Sequence, residues 1–262
     1  MMSAMLFPLL LCWPLGAAMP GAQDTLLIPG SFALFTTDEL GNSYAISGDE
    51  VMLFDARGRE LARNSVKTLG RIHAIDAFYS LKPLLFSREQ GMLAVLDNTL
   101  SVQTMVDLSR GGYPQVTLAC ASVQNAYWLF DDREMALFRV DGQLRKLAET
   151  GRLDQLLGVT VRPTSMQEHD NRLYVNVPDE GILVFDLFGS YARTIPLRNV
   201  QHFEVRGPVI HLLVPEGHLR YDIRSFAVDS VPLTVAGTAR ALRVERGRTY
   251  VLTERGIAIT ER

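Results

Sequence analysis

Along the chain, short runs in which apolar and polar residues alternate come in pairs separated by turn formers, the pattern of β-hairpins. Five such pairs end in aspartate. The first three are Ser43-Tyr44-Ala45-Ile46 with Val51-Met52-Leu53-Phe54-Asp55, Leu84-Leu85-Phe86 with Leu93-Ala94-Val95-Leu96-Asp97, and Tyr127-Trp128-Leu129-Phe130 with Leu137-Phe138-Arg139-Val140-Asp141. Leu173-Tyr174-Val175-Asn176-Val177 with Ile182-Leu183-Val184-Phe185-Asp186, and Ile210-His211-Leu212-Leu213-Val214 with Leu219-Arg220-Tyr221-Asp222, complete the five. The aspartates lie 42, 44, 45 and 36 residues apart, a repeat of about 40 residues and thus the size of a propeller blade. A sixth pair, Tyr250-Val251-Leu252-Thr253 with Ile257-Ala258-Ile259-Thr260, has no such aspartate.

Each hairpin has strand-like flanks. An apolar-alternating piece precedes it, as in Ile72-His73-Ala74-Ile75-Asp76 and Ala241-Leu242-Arg243-Val244-Glu245. A polar turn and another strand follow it, as in Ala56 to Leu61 and Leu187 to Ile195. The expected fold is therefore all-β, a six-bladed β-propeller with four-stranded blades whose innermost strands line a central channel. The sixth unit ends at Glu261-Arg262, where its outer strand should begin. Thr25-Leu26-Leu27-Ile28 is the one β-like segment left over, and pairing it there closes the ring with an N-terminal strand and removes two open sheet edges. A five-bladed ring or an open sandwich is the competing architecture. Residues 148–160 break the alternation and are expected to hold a helical turn.

Length and composition leave this picture in place. With 262 residues, 47% hydrophobic and 21% charged, the chain can bury a core without metal or disulfide staples. The formal net charge of −3, without a long run of either sign, argues against a nucleic-acid partner. Residues 1–23 carry no charge and contain the apolar run Met5 to Trp13 followed by Gly16-Ala17-Ala18, the order of a secretory signal, though without its usual basic start. Prolines 8 and 14 interrupt that run and it is too short to span a bilayer. The expected division is a signal peptide over 1–23 and one propeller domain over 24–262, exported to the periplasm or cell envelope, with no transmembrane segment after cleavage. Cys120 would then be the remaining cysteine, and its apolar surroundings make it a small core residue.

In period and strand order the hairpin-aspartate unit resembles the six-bladed propellers of the NHL-like, TolB-like superfamily. The segments Thr36-Thr37-Asp38-Glu39-Leu40-Gly41-Asn42, Leu96-Asp97-Asn98-Thr99-Leu100-Ser101, Gly181 to Gly189 and Thr194-Ile195-Pro196-Leu197 are similar to those of a group of exported Gram-negative envelope proteins. That likeness implies the fold and the compartment and names no activity.

P-loop, G-x-G-x-x-G, H-E-x-x-H, C-x-x-C and G-x-S-x-G signatures are absent from the sequence. The expected inner strands do carry acids: Asp38, Asp76, Glu168, Glu204 and Glu245. Oxygen ligands converging from several blades would suit Ca²⁺, whereas the same acids scattered round a ring are an ordinary polar lining. His73 and His202 sit on inner-strand candidates as well, but none of the five histidines stands at i, i+2 or i, i+4 from another. The candidate channel ligand set is therefore Asp38, His73, Asp76, Glu168, His202 and Glu204. Tyr127 and Trp128 are read as packing anchors between blades, with a sugar-binding platform as the alternative. The functional expectation is a non-enzymatic binding or scaffold module with a protein partner in the envelope and no cofactor. A Ca²⁺-dependent hydrolase or lactonase and a carbohydrate-binding module are the other readings.

Overall fold

The computed structural model describes residues 25–77, 82–233 and 235–261, so the expected signal peptide lies outside the described residues. The first strand is β1 (Thr25–Pro29). Blade 1 follows with β2 (Leu34–Thr37), β3 (Ser43–Ser47), β4 (Glu50–Phe54) and β5 (Glu60–Ser65), and blade 2 with β6 (Ala74–Asp76), β7 (Leu84–Ser87), β8 (Met92–Leu96) and β9 (Val102–Asp107). Blade 3 holds β10 (Val116–Ser122), β11 (Ala126–Asp131), β12 (Ala136–Val140) and β13 (Lys146–Glu149). After the short helix α1 (Leu153–Leu157), blade 4 holds β14 (Ser165–His169), β15 (Arg172–Val177), β16 (Gly181–Asp186) and β17 (Tyr191–Ile195). Blade 5 holds β18 (His202–Arg206), β19 (Val209–Val214), β20 (Gly217–Asp222) and β21 (Val228–Val231); blade 6 holds β22 (Ala241–Glu245), β23 (Arg248–Thr253) and β24 (Gly256–Glu261). These make six four-stranded antiparallel sheets, and the protein is a six-bladed β-propeller rather than a five-bladed ring or sandwich.

The sixth sheet runs β1-β24-β23-β22, so the N-terminal strand does supply the missing outer edge. Its register pairs Thr25 with Thr260, Leu26 with Ile259, Leu27 with Ala258, Ile28 with Ile257 and Pro29 with Gly256. Pro29 falls at the strand's end on an outer edge, where a missing N–H is tolerated. Gly256 is required by contact: a Cβ there would stand 2.0 Å from the Ile28 carbonyl oxygen, at a φ of 132°. Ile28, 2% exposed, then packs with Phe32, Phe54, Tyr250 and Ile257 in the seam between blades 6 and 1.

The repeated aspartate is a turn lock. In blades 1 to 4 one oxygen of Asp55, Asp97, Asp141 or Asp186 accepts the N–H groups two and four residues on, and Asp222 does the same for Arg224 and Ser225. Hydrogen bonds from Thr99, Arg145 and Ser225 hold the carboxyls of Asp97, Asp141 and Asp222 below the usual carboxylate range. Blade 6 needs no such lock, because its outer strand arrives from the other end of the chain. The turn also explains why β5 begins at Glu60 and not at Ala56: residues 55–59 are spent on it.

Apolar side chains that alternate along each strand meet those of the next blade and fill the wedge between them. Among the described residues, five seams hold an apolar cluster: blades 1–2 around Leu69 and Leu85, 2–3 around Phe86 and Leu129, 3–4 around Trp128 and Phe185, 4–5 around Val184 and Leu212, and 6–1 around Tyr250. The seam between blades 5 and 6 is polar on its blade 5 side. Because Ile210, Leu212 and Val214 face blade 4, the alternate residues His211 and Leu213 face blade 6, with His202, Glu204, His218 and Arg220 beside them in register. Across from them lie Leu242, Val251 and Ala258.

Candidate site: the channel and the ties between blades

An inner strand uses one edge in its own blade and turns the other toward the channel, so its remaining N–H groups need acceptors from elsewhere. Neighbouring blades provide them. Asp76 of blade 2 accepts the Ala121 N–H of blade 3 at 3.0 Å. Gln167 of blade 4 both accepts from the Val205 N–H, at 2.9 Å, and donates to the Val205 carbonyl, at 3.2 Å, as an added backbone would. In blade 5, Glu204 accepts the Val244 N–H of blade 6 at 2.5 Å, and His202 Nδ1 accepts the Leu242 N–H at 3.4 Å.

Glu168 anchors the most extensive of these ties. One carboxylate oxygen accepts the Val123 N–H at 2.9 Å; the other accepts the Ser122 hydroxyl at 2.5 Å and the Trp128 indole N–H at 2.7 Å. Ser122 Oγ in turn accepts from Arg139 Nε at 2.8 Å, and Arg139 Nη2 donates to the Val123 carbonyl at 3.0 Å. Glu168, Ser122, Trp128 and Arg139 are all buried, so a carboxylate and a guanidinium share a hydroxyl inside the seam between blades 3 and 4. Trp128 is fully buried there, a packing anchor and not a sugar platform, and Cys120 is buried beside it, its thiol pushed up chiefly by burial.

Asp38 is buried too, but ties its own blade. It locks the turn after β2 by accepting the Leu40 and Asn42 N–H groups, the Asn42 amide and, at 3.3 Å, the Tyr44 hydroxyl. His73 stays local as well, accepting the Arg88 N–H through Nδ1 at 3.2 Å and facing Glu89. Of the six candidate residues, Asp76, His202 and Glu204 line the channel cavity of about 90 Å³, together with Thr37, Gln167, Arg206 and Arg243. Two ion pairs bridge blades 5 and 6 at this point, Arg206 with Glu245 and Arg243 with Glu204. Burial pushes the Glu204 carboxyl up, with Arg243 opposing it. Among the described residues, no group of three or more His, Cys, Asp or Glu side chains is arranged to hold a metal ion.

The sequence search missed one pair. His211 Nδ1 and His218 Nε2 meet at 3.1 Å in the polar seam, both buried. The signal was the hairpin register, in which Val214 pairs with Gly217 and so sets residue 218 diagonally beside 211.

His202 is expected to make the ring acid-sensitive. Burial, with Arg243 nearby, lowers its pKa from 6.5 to about 3. What surface it retains lines the channel cavity, so outer solvent screens it little. Between those two values the unfolded chain carries a proton that the folded chain does not, so folding stability falls as pH drops from 6.5, by up to about 1.4 kcal/mol per pH unit. His73 and His169, also lowered by burial, act in the same direction, as do the lowered turn aspartates at the acid end, while the raised Glu204 opposes it. Urea unfolding across this range should show that slope, and His202→Asn, which keeps an acceptor for Leu242, should flatten it. An equal slope in the variant would rule out His202 as its source.

No protein-family model and no curated protein matches the chain. Solved structures do. A streptogramin B lyase is similar at a TM-score of 0.62 and 10% identity, over 91% of this chain and 96% of that one. The Cps50 (Swd1) β-propeller domain of Myceliophteria thermophila gives the same score and identity over 91% and 100%. The Neurospora crassa Pan2 WD40 domain reaches 0.57 at 7% identity, over 86% and 73%. At these identities the likeness defines the class, β-propeller, and nothing narrower.

Proposed function

We propose that the chain is a non-enzymatic binding or scaffold propeller that is exported to the periplasm or cell envelope and acts through a protein partner. The observation that carries this reading is the use of the inner-strand acids. Glu168 spends both carboxylate oxygens, and Asp76 and Glu204 one each, on N–H and O–H donors of neighbouring blades, and Asp38 spends its own on a turn, so the polar channel serves the ring itself. A Ca²⁺-dependent hydrolase would need those oxygens for the cation. No described helix is long and apolar enough to cross a membrane.

A protein-binding surface is better supported on the rim of blades 4 and 5. Phe188 is 80% exposed and Phe226 60%, with Tyr191 and Val228 also exposed, and the Arg193 guanidinium lies 5.4 Å from the centre of the Phe226 ring. Exposed aromatics with arginine are the residue types enriched in interface anchors. Affinity capture of the tagged chain from detergent-solubilised native envelope, after crosslinking, should retain a defined protein partner. The double variant Phe188→Ser/Phe226→Ser should lose it while keeping wild-type thermal stability. Recovery of the bait alone would reject the reading.

A further inference from the structure

A second cavity, of about 360 Å³, opens where blades 2 and 3 meet, apart from the rim of blades 4 and 5. Its size falls in the range of small-molecule sites. Leu84 and Val95 of blade 2 and Ala121 and Ala126 of blade 3 give it an apolar floor. The Ala121 wall is pinned, because its N–H is tied to Asp76.

Two donors stand over that floor. Tyr127 lines the cavity, and its hydroxyl makes no hydrogen bond among the described residues, so it is open to an acceptor bound there. Lys82 brings an ammonium to the same cavity, held by a hydrogen bond of 3.2 Å to the Asn125 side-chain carbonyl. That contact leaves two of its three N–H donors for other acceptors. Glu39 also lines the cavity and opposes any bound anion, so a single carboxylate met by the Lys82 ammonium is tolerated better than two, the second of which has no cation to meet it.

We propose that this cavity binds a small organic monocarboxylate, its apolar body on Leu84, Val95, Ala121 and Ala126 and its carboxylate hydrogen-bonded by the Tyr127 hydroxyl and the Lys82 ammonium. The site is separate from the protein-binding rim, so either can fail without the other.

Calorimetric titration of the full chain with octanoate, octanamide and suberate tests it, since these probes share a chain length and differ in head-group charge. Octanoate should saturate. Octanamide, without the charge, and suberate, with a second one, should each bind at least about tenfold more weakly. Tyr127→Phe keeps the ring packed in the seam and Lys82→Met alters an exposed residue, so both should keep the wild-type thermal midpoint while weakening octanoate by at least about tenfold. Failure of octanoate to saturate, equal binding of octanamide, or undiminished octanoate binding in the folded Lys82→Met variant would overturn the assignment.

Discussion

A chain lacking residues 25–29 is expected to lose its cooperative monomeric unfolding transition or to show it at a much lower temperature. The segment completes the sixth sheet through a five-residue register and buries Ile28 in the seam with blade 1. Removing a buried isoleucine alone costs about 2 to 5 kcal/mol, and the deletion also strips β24 of its outer partner. Losing at least about 4 kcal/mol from a stability of about 5 to 15 kcal/mol is severe, and would lower the thermal midpoint by roughly 8 to 16 °C in a chain of this size. The exposed edge of β24 should also recruit a second chain, so size-exclusion chromatography should show oligomers. A monomer with the wild-type midpoint would mean that the ring does not depend on this joint. Because Gly256 meets the Ile28 carbonyl with no room for a Cβ, Gly256→Ala should move the midpoint in the same direction without removing any side chain.

Glu168→Ala is expected to be the most damaging single substitution among the inner-strand acids. It leaves the Trp128 indole N–H and the Val123 N–H without their acceptor and deprives the buried Arg139 of the carboxylate it reaches through Ser122. Breaking a buried charged network by deleting one member costs about 3 to 5 kcal/mol. Glu168→Gln retains one acceptor oxygen and should cost less. Trp128 emission should shift to longer wavelength in the alanine variant if the seam between blades 3 and 4 admits water. Chemical denaturation that finds Glu168→Ala within about 0.5 kcal/mol of wild type, the range of an ordinary surface change, would contradict the network.

Much of the ring was legible in the sequence, for an identifiable physical reason. Strand pairs with one buried face must alternate, and the turn aspartates recur because each third-to-outer-strand connection poses the same hydrogen-bonding problem. The sixth hairpin has no outer strand after it, and Thr25 to Ile28 was the β-like segment left to supply that edge. Trp128 and Cys120 were likewise readable from their apolar surroundings. The direction in which the inner-strand acids turn was not. Composition places Asp76, Glu168 and Glu204 on inner strands, but only the ring's geometry decides whether a carboxylate meets a neighbour's N–H or shares a cation with its counterparts. The polar seam between blades 5 and 6 was hidden for a related reason. His211 reads as one polar residue in an apolar strand until the register sets it against His218 and the alternation turns both toward blade 6.

The central claim, that Asp76, Glu168 and Glu204 tie blades together rather than share a cation, is tested most directly by thermal unfolding of the wild-type chain titrated with calcium near neutral pH. A cation bound by the folded ring alone would stabilise it by about 2.7 kcal/mol at a hundredfold excess over its dissociation constant. The account predicts a midpoint that does not move as calcium rises through the millimolar range. A saturable rise in the midpoint that is lost in Asp76→Asn or Glu204→Gln would contradict it.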